Sequence, residues 1–382
     1  MTKSGKKMIP ISIPSTGEEE WQALREPLET GWLTSGPKVK EFEKRFSDRH
    51  RSKHGIAVTS ATTALHLACL ALGVQPGDEV IVPAFTWIST ANAVIYCGAK
   101  VVFADIDPDT FNMDPAKLAL KITSKTKAII PVHLFGLSAD IEAIQSVSRN
   151  IPLIEDCACS AGASYKNKPT GTLGKVGCFS FHPRKSITTG EGGMITTDDD
   201  ELASLVTKLR NHGASVSEEE RHSGPKPFLL PSFEILGYNF RMTDIQAALG
   251  IVQLSKLDRF IDEREKLAKY YHEKLAGISW LKLPHVPNEY RHGWQSYVTM
   301  VDEKSAPFPR NKIMEVLMEQ GIASRPGTHA VHMLTFYKKL NGTDAEDFPI
   351  SMRANNQSMA LPMHNHLSNE DIDYIAEVLQ SI

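Results

Sequence analysis

The sequence predicts an α/β protein, with a large domain built on a mostly parallel mixed sheet flanked by helices and a smaller α+β C-terminal domain. Three observations carry this prediction. From about residue 55, short β-branched runs alternate with helical patterns, as in a sheet whose strands are joined by crossover helices. Several of those runs are apolar at nearly every position, which strands covered on both faces require. The 382 residues also exceed what one hydrophobic core usually supports, so a second domain is expected.

Taken in chain order, the predicted strands are residues 55–59, 79–83, 100–105, 127–132, 152–155, 177–181 and 193–197. The predicted helices are residues 62–72, 89–97, 115–121, 139–148 and 201–212. The most apolar stretch, residues 57–74, includes Thr59, Ser60, Thr62, Thr63 and His66, so it reads as a strand plus a helix and not as a membrane span. A polar, Pro-containing segment follows His212, with Glu218-Glu219-Glu220-Arg221-His222 and Pro225-Lys226-Pro227; its composition predicts a surface loop, with a substrate-covering lid as the alternative. A long amphipathic stretch then covers residues 243–275, and the irregular stretch 280–287 after it marks a hinge. The expected domains are therefore residues 1–280 and 281–382. The smaller one has a strand near 294–301 and helices near 310–320 and 369–379.

Composition narrows the function. With 41% hydrophobic and 23% charged residues the chain is an ordinary globular one. A net charge of −3 gives no reason to expect nucleic acid or an anionic membrane as partner, which favours small molecules. The five cysteines, Cys69, Cys97, Cys157, Cys159 and Cys178, lie in apolar segments without a framework spacing and read as reduced cytosolic thiols. No apolar core of a signal peptide follows Lys6-Lys7, which argues against secretion.

Three segments could carry chemistry. In Cys178-Phe179-Ser180-Phe181-His182-Pro183-Arg184-Lys185, followed by the turn Gly190-Glu191-Gly192-Gly193, a strand ends and a lysine follows at the sheet mouth. That is the crevice where open α/β sheets bind ligands, and a lysine amine held there can form a Schiff base. The apolar strand through Ile154 ends in Glu155-Asp156. A carboxylate buried at that position needs a cation or donors, and a protonated pyridine nitrogen is such a partner; a helix cap or an arginine pair would serve equally. In Ser60-Ala61-Thr62-Thr63 a strand gives way to a helix whose unpaired amides suit a phosphate, as well as an ordinary N-cap. Trp87, after a further strand, offers a face to a flat ring or else belongs to the core.

In this order the segments resemble the fold-type I pyridoxal-phosphate (PLP) enzymes, and within them the DegT/StrS family of nucleotide-sugar aminotransferases. The resemblance covers nearly the whole chain. It runs through Gly31-Trp32-Leu33-Thr34-Ser35-Gly36-Pro37, Ala64-Leu65-His66-Leu67, residues 75–87, Pro131-Val132-His133-Leu134-Phe135-Gly136 and Glu155-Asp156. It continues through the lysine segment, Gly237-Tyr238-Asn239-Phe240-Arg241, Ser324-Arg325-Pro326 and Leu361-Pro362-Met363-His364. The resemblance implies that Lys185 is the Schiff-base lysine, that Asp156 pairs with the pyridine nitrogen and that Trp87 stacks on the ring. It further implies that Ala61, Thr62 and Ser180 hold the phosphate, joined by Asn239 from a partner subunit in an obligate homodimer. Arg241 and His329 are expected to bind substrate. Two positions depart from the family. Cys159 stands where relatives carry Gln, Glu or His against the ring oxygen, and a thiol is a poor donor. Ala61 stands where Gly is frequent.

The activity so implied moves an amino group from an amino acid, expected to be glutamate, to a keto group of a nucleotide-linked sugar. It proceeds through pyridoxamine phosphate and leans toward a 4-keto-6-deoxy sugar, as in GDP-perosamine-synthase-like enzymes. A sugar dehydratase of the same fold would carry histidine at position 185, and a non-catalytic PLP-binding regulator would not need the lysine. His364-Asn365-His366 with His329 and His332 matches no metal-ligand spacing, so no metal is expected.

Overall fold

The computed structural model describes residues 8–215, 228 and 230–382. Most of the polar segment after His212, including residues 218–222 and 225–227, lies outside the described residues. Seven strands form the main sheet: β1 (His54–Val58), β2 (Glu79–Pro83), β3 (Lys100–Ala104), β4 (Thr126–Ile129), β5 (Ile154–Asp156), β6 (Val176–Ser180) and β7 (Gly193–Thr197). Their spatial order is β3-β2-β4-β5-β6-β7-β1, with β4 and β5 joined through the parallel bridges Ile129↔Leu153 and Val132↔Asp156. β7 alone runs against the rest, pairing antiparallel with both β6 and β1. The sheet is thus mixed and mostly parallel, as expected.

Period-2 alternation explains why both faces are apolar. In β2, Val80 and Val82 face a core shared with the helices Ala61–Ala71, Ile88–Tyr96 and Asp200–Leu209, while Ile81 faces a second core with Leu118, Ile141 and Ile144. Under β6 and β7, Phe179, Phe181 and Met194 pack against Phe42 and Phe46 of the helix Pro37–His50 and against Leu257 and Phe260 of the helix Asp244–Leu275.

The 32-residue helix Asp244–Leu275 starts at a capping box, in which Thr243 accepts the Gln246 N–H and Gln246 reaches back to the Thr243 N–H. Its far end, at Ala268, Tyr271 and Leu275, enters another core with Trp294, Ile313, Leu317, Ile375, Leu379 and Ile9. That core covers an antiparallel sheet of β8 (Leu281–Lys282), β9 (Tyr297–Val301) and β10 (Ser358–Leu361). The stretch after Trp280, expected to be irregular, therefore contributes a strand, too short to display any periodicity. No helix among the described residues is long and apolar enough to cross a membrane.

Candidate active site

Two adjacent carboxylates end β5, and alternation sends them to opposite faces. Glu155 is saturated: it accepts the N–H groups of Gly171 (2.8 Å), Leu173 (2.7 Å) and Gly174 (2.6 Å) and meets His133 Nε2 at 2.8 Å. Because His133 Nδ1 accepts the Ala139 N–H at 2.9 Å, the ring proton sits on Nε2 and is donated to Glu155. Asp156 differs. It is 5% exposed and accepts the Thr90 hydroxyl on Oδ2 at 2.8 Å and the Ala158 N–H on Oδ1 at 3.1 Å. Among the described residues no Lys, Arg or His stands at ion-pair distance from it. Burial pushes its pKa above the ordinary carboxylate value, opposed first by the Thr90 hydroxyl, then by the Ala158 N–H and by the charge of Lys185.

Lys185 lies in the turn after β6, where its N–H bonds the His182 carbonyl at 2.8 Å. Its Nζ donates to Cys159 Sγ at 3.3 Å. Cys159 follows Asp156 by three residues, so one short turn brings the lysine and the buried acid to the same strand ends. Of the five cysteines, all free, Cys159 alone is partly exposed.

A third element faces the same end of the sheet. Ser60 caps the helix Ala61–Ala71, its Oγ accepting the Thr63 N–H at 3.2 Å. The Ala61 and Thr62 amides, in the first turn, have no intrahelical partner and no acceptor among the described residues. Gly193 packs directly on this cap: a Cβ added there would lie 2.5 Å from Ser60 C and 2.6 Å from Ser60 O. Since Ser180 is the register partner of Gly193, its hydroxyl lies on the strand next to the helix start; the one bond it makes is a 3.4 Å contact from the His182 N–H.

Trp87 is the N-cap residue of Ile88–Tyr96 and is 59% exposed, so it is not a core residue. Its ring lies 5.5 Å from that of His329, which the pairing His329↔Thr86 holds alongside. Asn239 and Arg241 reach the site from its β1 side, where the Phe240 carbonyl accepts the Thr59 N–H at 3.1 Å, one residue before the Ser60 cap. They lie on a segment bridged to Asn211 and Val58 at the β1 edge, with Asn239 exposed and Arg241 donating to Asn211 Oδ1 at 2.8 Å. No contact among the described residues joins either of them to Lys185 or Asp156.

The histidines considered as metal ligands are not gathered. His332 is fully buried against Phe103 and Phe348, His329 lies on Trp87, and the His364 and His366 rings are 6.4 Å apart. Among the described residues His133, Glu155 and Cys157 do come within metal-ligand spacing, but both nitrogens of His133 and both oxygens of Glu155 are engaged in the bonds given above. Thr90, bonded to Asp156, and His133, bonded to Glu155, are residues to which the sequence pattern assigned no part. The Pro131-Val132-His133 run was a visible signal for the second, and nothing local marked the first.

The donor set fits PLP. A buried carboxylate without a cation suits a protonated ring nitrogen, and a lysine stands beside it to take the aldehyde. Two unpaired amides and a hydroxyl suit a phosphate dianion, and an exposed indole can cover a ring face. A mostly parallel sheet carrying these groups at one end defines a fold-type I PLP-dependent transferase.

Comparison with known proteins narrows the class. The model of the DegT/DnrJ/EryC1/StrS aminotransferase family matches residues 14–380. The chain is 40% identical to the spore coat polysaccharide biosynthesis protein SpsC of Bacillus subtilis, over 100% of this chain and 99% of that one. It is 41% identical to the GDP-perosamine synthase of Caulobacter vibrioides, over 98% of both. Among solved structures, Spr1654 of Streptococcus pneumoniae, known in PMP, PLP and apo forms, superposes in its PMP form with a TM-score of 0.91 at 33% identity over 98% of both chains. The chain belongs to the DegT/DnrJ/EryC1/StrS aminotransferase family, and it is a PLP-dependent aminotransferase with pyridoxamine phosphate as its alternate cofactor form.

Proposed function

We propose that the protein transfers an amino group from L-glutamate to the keto carbon of a nucleotide-linked 4-keto-6-deoxy sugar. The observation that carries the reading is the buried Asp156 carboxylate, which has no cation at ion-pair distance among the described residues, with Lys185 bonded to Cys159 three residues further on. The names of the relatives, a GDP-perosamine synthase and a spore coat polysaccharide protein, support the sugar class.

When bound, PLP supplies an electron sink for the pair left behind as a proton leaves the amino-bearing carbon. Lys185 Nζ would move that proton, acting as general base and then general acid. Asp156, ionised, would accept a hydrogen bond from the protonated ring nitrogen. The Ala61 and Thr62 amides and the Ser180 hydroxyl would hold the phosphate, Trp87 would cover one ring face, and Cys159 would stand beside the ring oxygen. Arg241 and His329 bind substrate anions or hydroxyls.

Asn239, exposed and without a hydrogen bond to Lys185 or Asp156 among the described residues, serves the site of a second copy, so the working unit is a homodimer. Residues 1–280 and 281–382 form the two domains, and the protein acts in the cytoplasm. The test is to convert the protein to its pyridoxamine form, add UDP-, GDP- and dTDP-linked keto sugars in turn, and follow return of the aldehyde absorbance. A 4-keto-6-deoxy sugar restores it; no response to any keto sugar refutes the reading.

A further inference from the structure

We propose that Thr90 is a positioning residue for amino transfer, its hydroxyl orienting the Asp156 carboxylate and keeping it ionised, with the Thr86 hydroxyl orienting Thr90 in turn. The inference rests on the reading of Asp156 as partner of the cofactor ring nitrogen. Thr90 is the third residue of the helix Ile88–Tyr96 and is 1% exposed. A helical threonine ordinarily returns its hydroxyl to a carbonyl one turn back. Here the hydroxyl instead meets Asp156 Oδ2 at 2.8 Å and Thr86 Oγ1 at 3.2 Å.

A hydroxyl has one proton, and an ionised carboxylate can only accept. Thr90 therefore donates to Asp156, and Thr86 must donate to Thr90. The relay has a direction, Thr86 to Thr90 to Asp156, and its outer end is tied to another part of the chain. Thr86 pairs with His329, and the Thr86 carbonyl accepts the Thr328 hydroxyl at 3.0 Å.

At the inner end the Ala158 N–H holds Oδ1, so each carboxylate oxygen has one fixed donor and lone pairs left for the ring nitrogen. Burial works against the ionised form of Asp156, and the Thr90 hydroxyl is the foremost group opposing it. Without that hydroxyl the acid holds its proton more tightly, and the ring nitrogen loses an anionic partner.

The experiment compares Thr90→Val, Thr90→Ser, Thr86→Val and Asp156→Ala as holoenzymes. In Thr90→Val, kcat falls by about 10- to 100-fold, the worth of one hydrogen bond to a charged group, while KM for both substrates holds. Its bound-cofactor spectrum moves toward that of the unprotonated ring, and equilibrium dialysis of the apoprotein shows weaker cofactor binding. Thr90→Ser restores all three, and Thr86→Val moves them the same way by less. A Thr90→Val enzyme with unchanged kcat and spectrum overturns the proposal, as does one that Thr90→Ser fails to rescue. If Thr90→Val does not fold, a Thr86→Val spectrum identical to the parent's overturns the relay. Full activity in Asp156→Ala overturns the reading of Asp156 itself; loss there with a silent Thr90→Val sinks the positioning role alone.

Discussion

Gly193 offers a sharp test of the contact between sheet and phosphate-facing helix. In Gly193→Ala the new methyl would sit 2.5 Å from Ser60 C, 2.6 Å from Ser60 O and 2.8 Å from Phe179 O. All three are backbone atoms, so no side chain can swing aside. Ordinary carbon–carbon contact is about 3.5 Å, so β7 and the helix cap must separate by roughly 1 Å. Overpacking of this kind costs about 1–3 kcal/mol, and at about 2–4 °C per kcal/mol for chains somewhat shorter than this one the melting temperature drops by several degrees. The same displacement carries the Ala61 and Thr62 amides away from the phosphate, so cofactor affinity falls as well. Differential scanning fluorimetry and equilibrium dialysis measure the two effects. Gly342→Ala is the control: it has φ +65° and open space around its Cβ, so it loses about 1–2 kcal/mol to left-handed backbone and leaves cofactor binding untouched. A Gly193→Ala protein with parental melting temperature and parental cofactor affinity would refute the contact.

Lys185→Ala abolishes turnover while far-ultraviolet circular dichroism stays unchanged; residual amino transfer would contradict its role. Burial raises Asp156, so between the ordinary carboxylate value and the raised one the native apoprotein holds a proton that the unfolded chain has released, and stability falls as pH climbs through that window. Asp156→Asn apoprotein is therefore more stable than the parent above the window, and a melting difference constant from pH 4 to pH 8 would contradict this. Burial has the opposite consequence for His50, pushed down to about 4, His292, to about 3, and His364, to about 4: their contribution to stability is lost as pH drops from about 6.5 toward those values, so the urea midpoint is lower at pH 5 than at pH 7. Iodoacetamide labels Cys159 ahead of the four buried cysteines, and peptide mass mapping that finds another first would count against the site geometry.

Much of the main sheet was legible because its strands are apolar on both faces, and β2 and β7 coincide with the predicted residues 79–83 and 193–197. The helix Pro37–His50 was missed for a physical reason. Its N-cap is Gly36, which has no side chain to mark a start, and the Asp244 carboxylate, 208 residues away, accepts the Gly36, Lys38 and Val39 N–H groups instead. Phe42, Phe46 and His50 at four-residue spacing were the readable signal. In the candidate site, Lys185 and Asp156 stand at strand ends that were readable from local pattern. Thr90 was not, since its value lies in a bond to a residue 66 positions later in the chain.

The helix Asp244–Leu275 threads both the core beneath β6 and β7 and the core around β9 without a break. At 1.5 Å per residue it is about 48 Å of continuous rod. A swing of the core around β9 against the core beneath β6 and β7 would have to bend that rod. Small-angle scattering of the protein with and without substrate is therefore expected to give nearly the same radius of gyration.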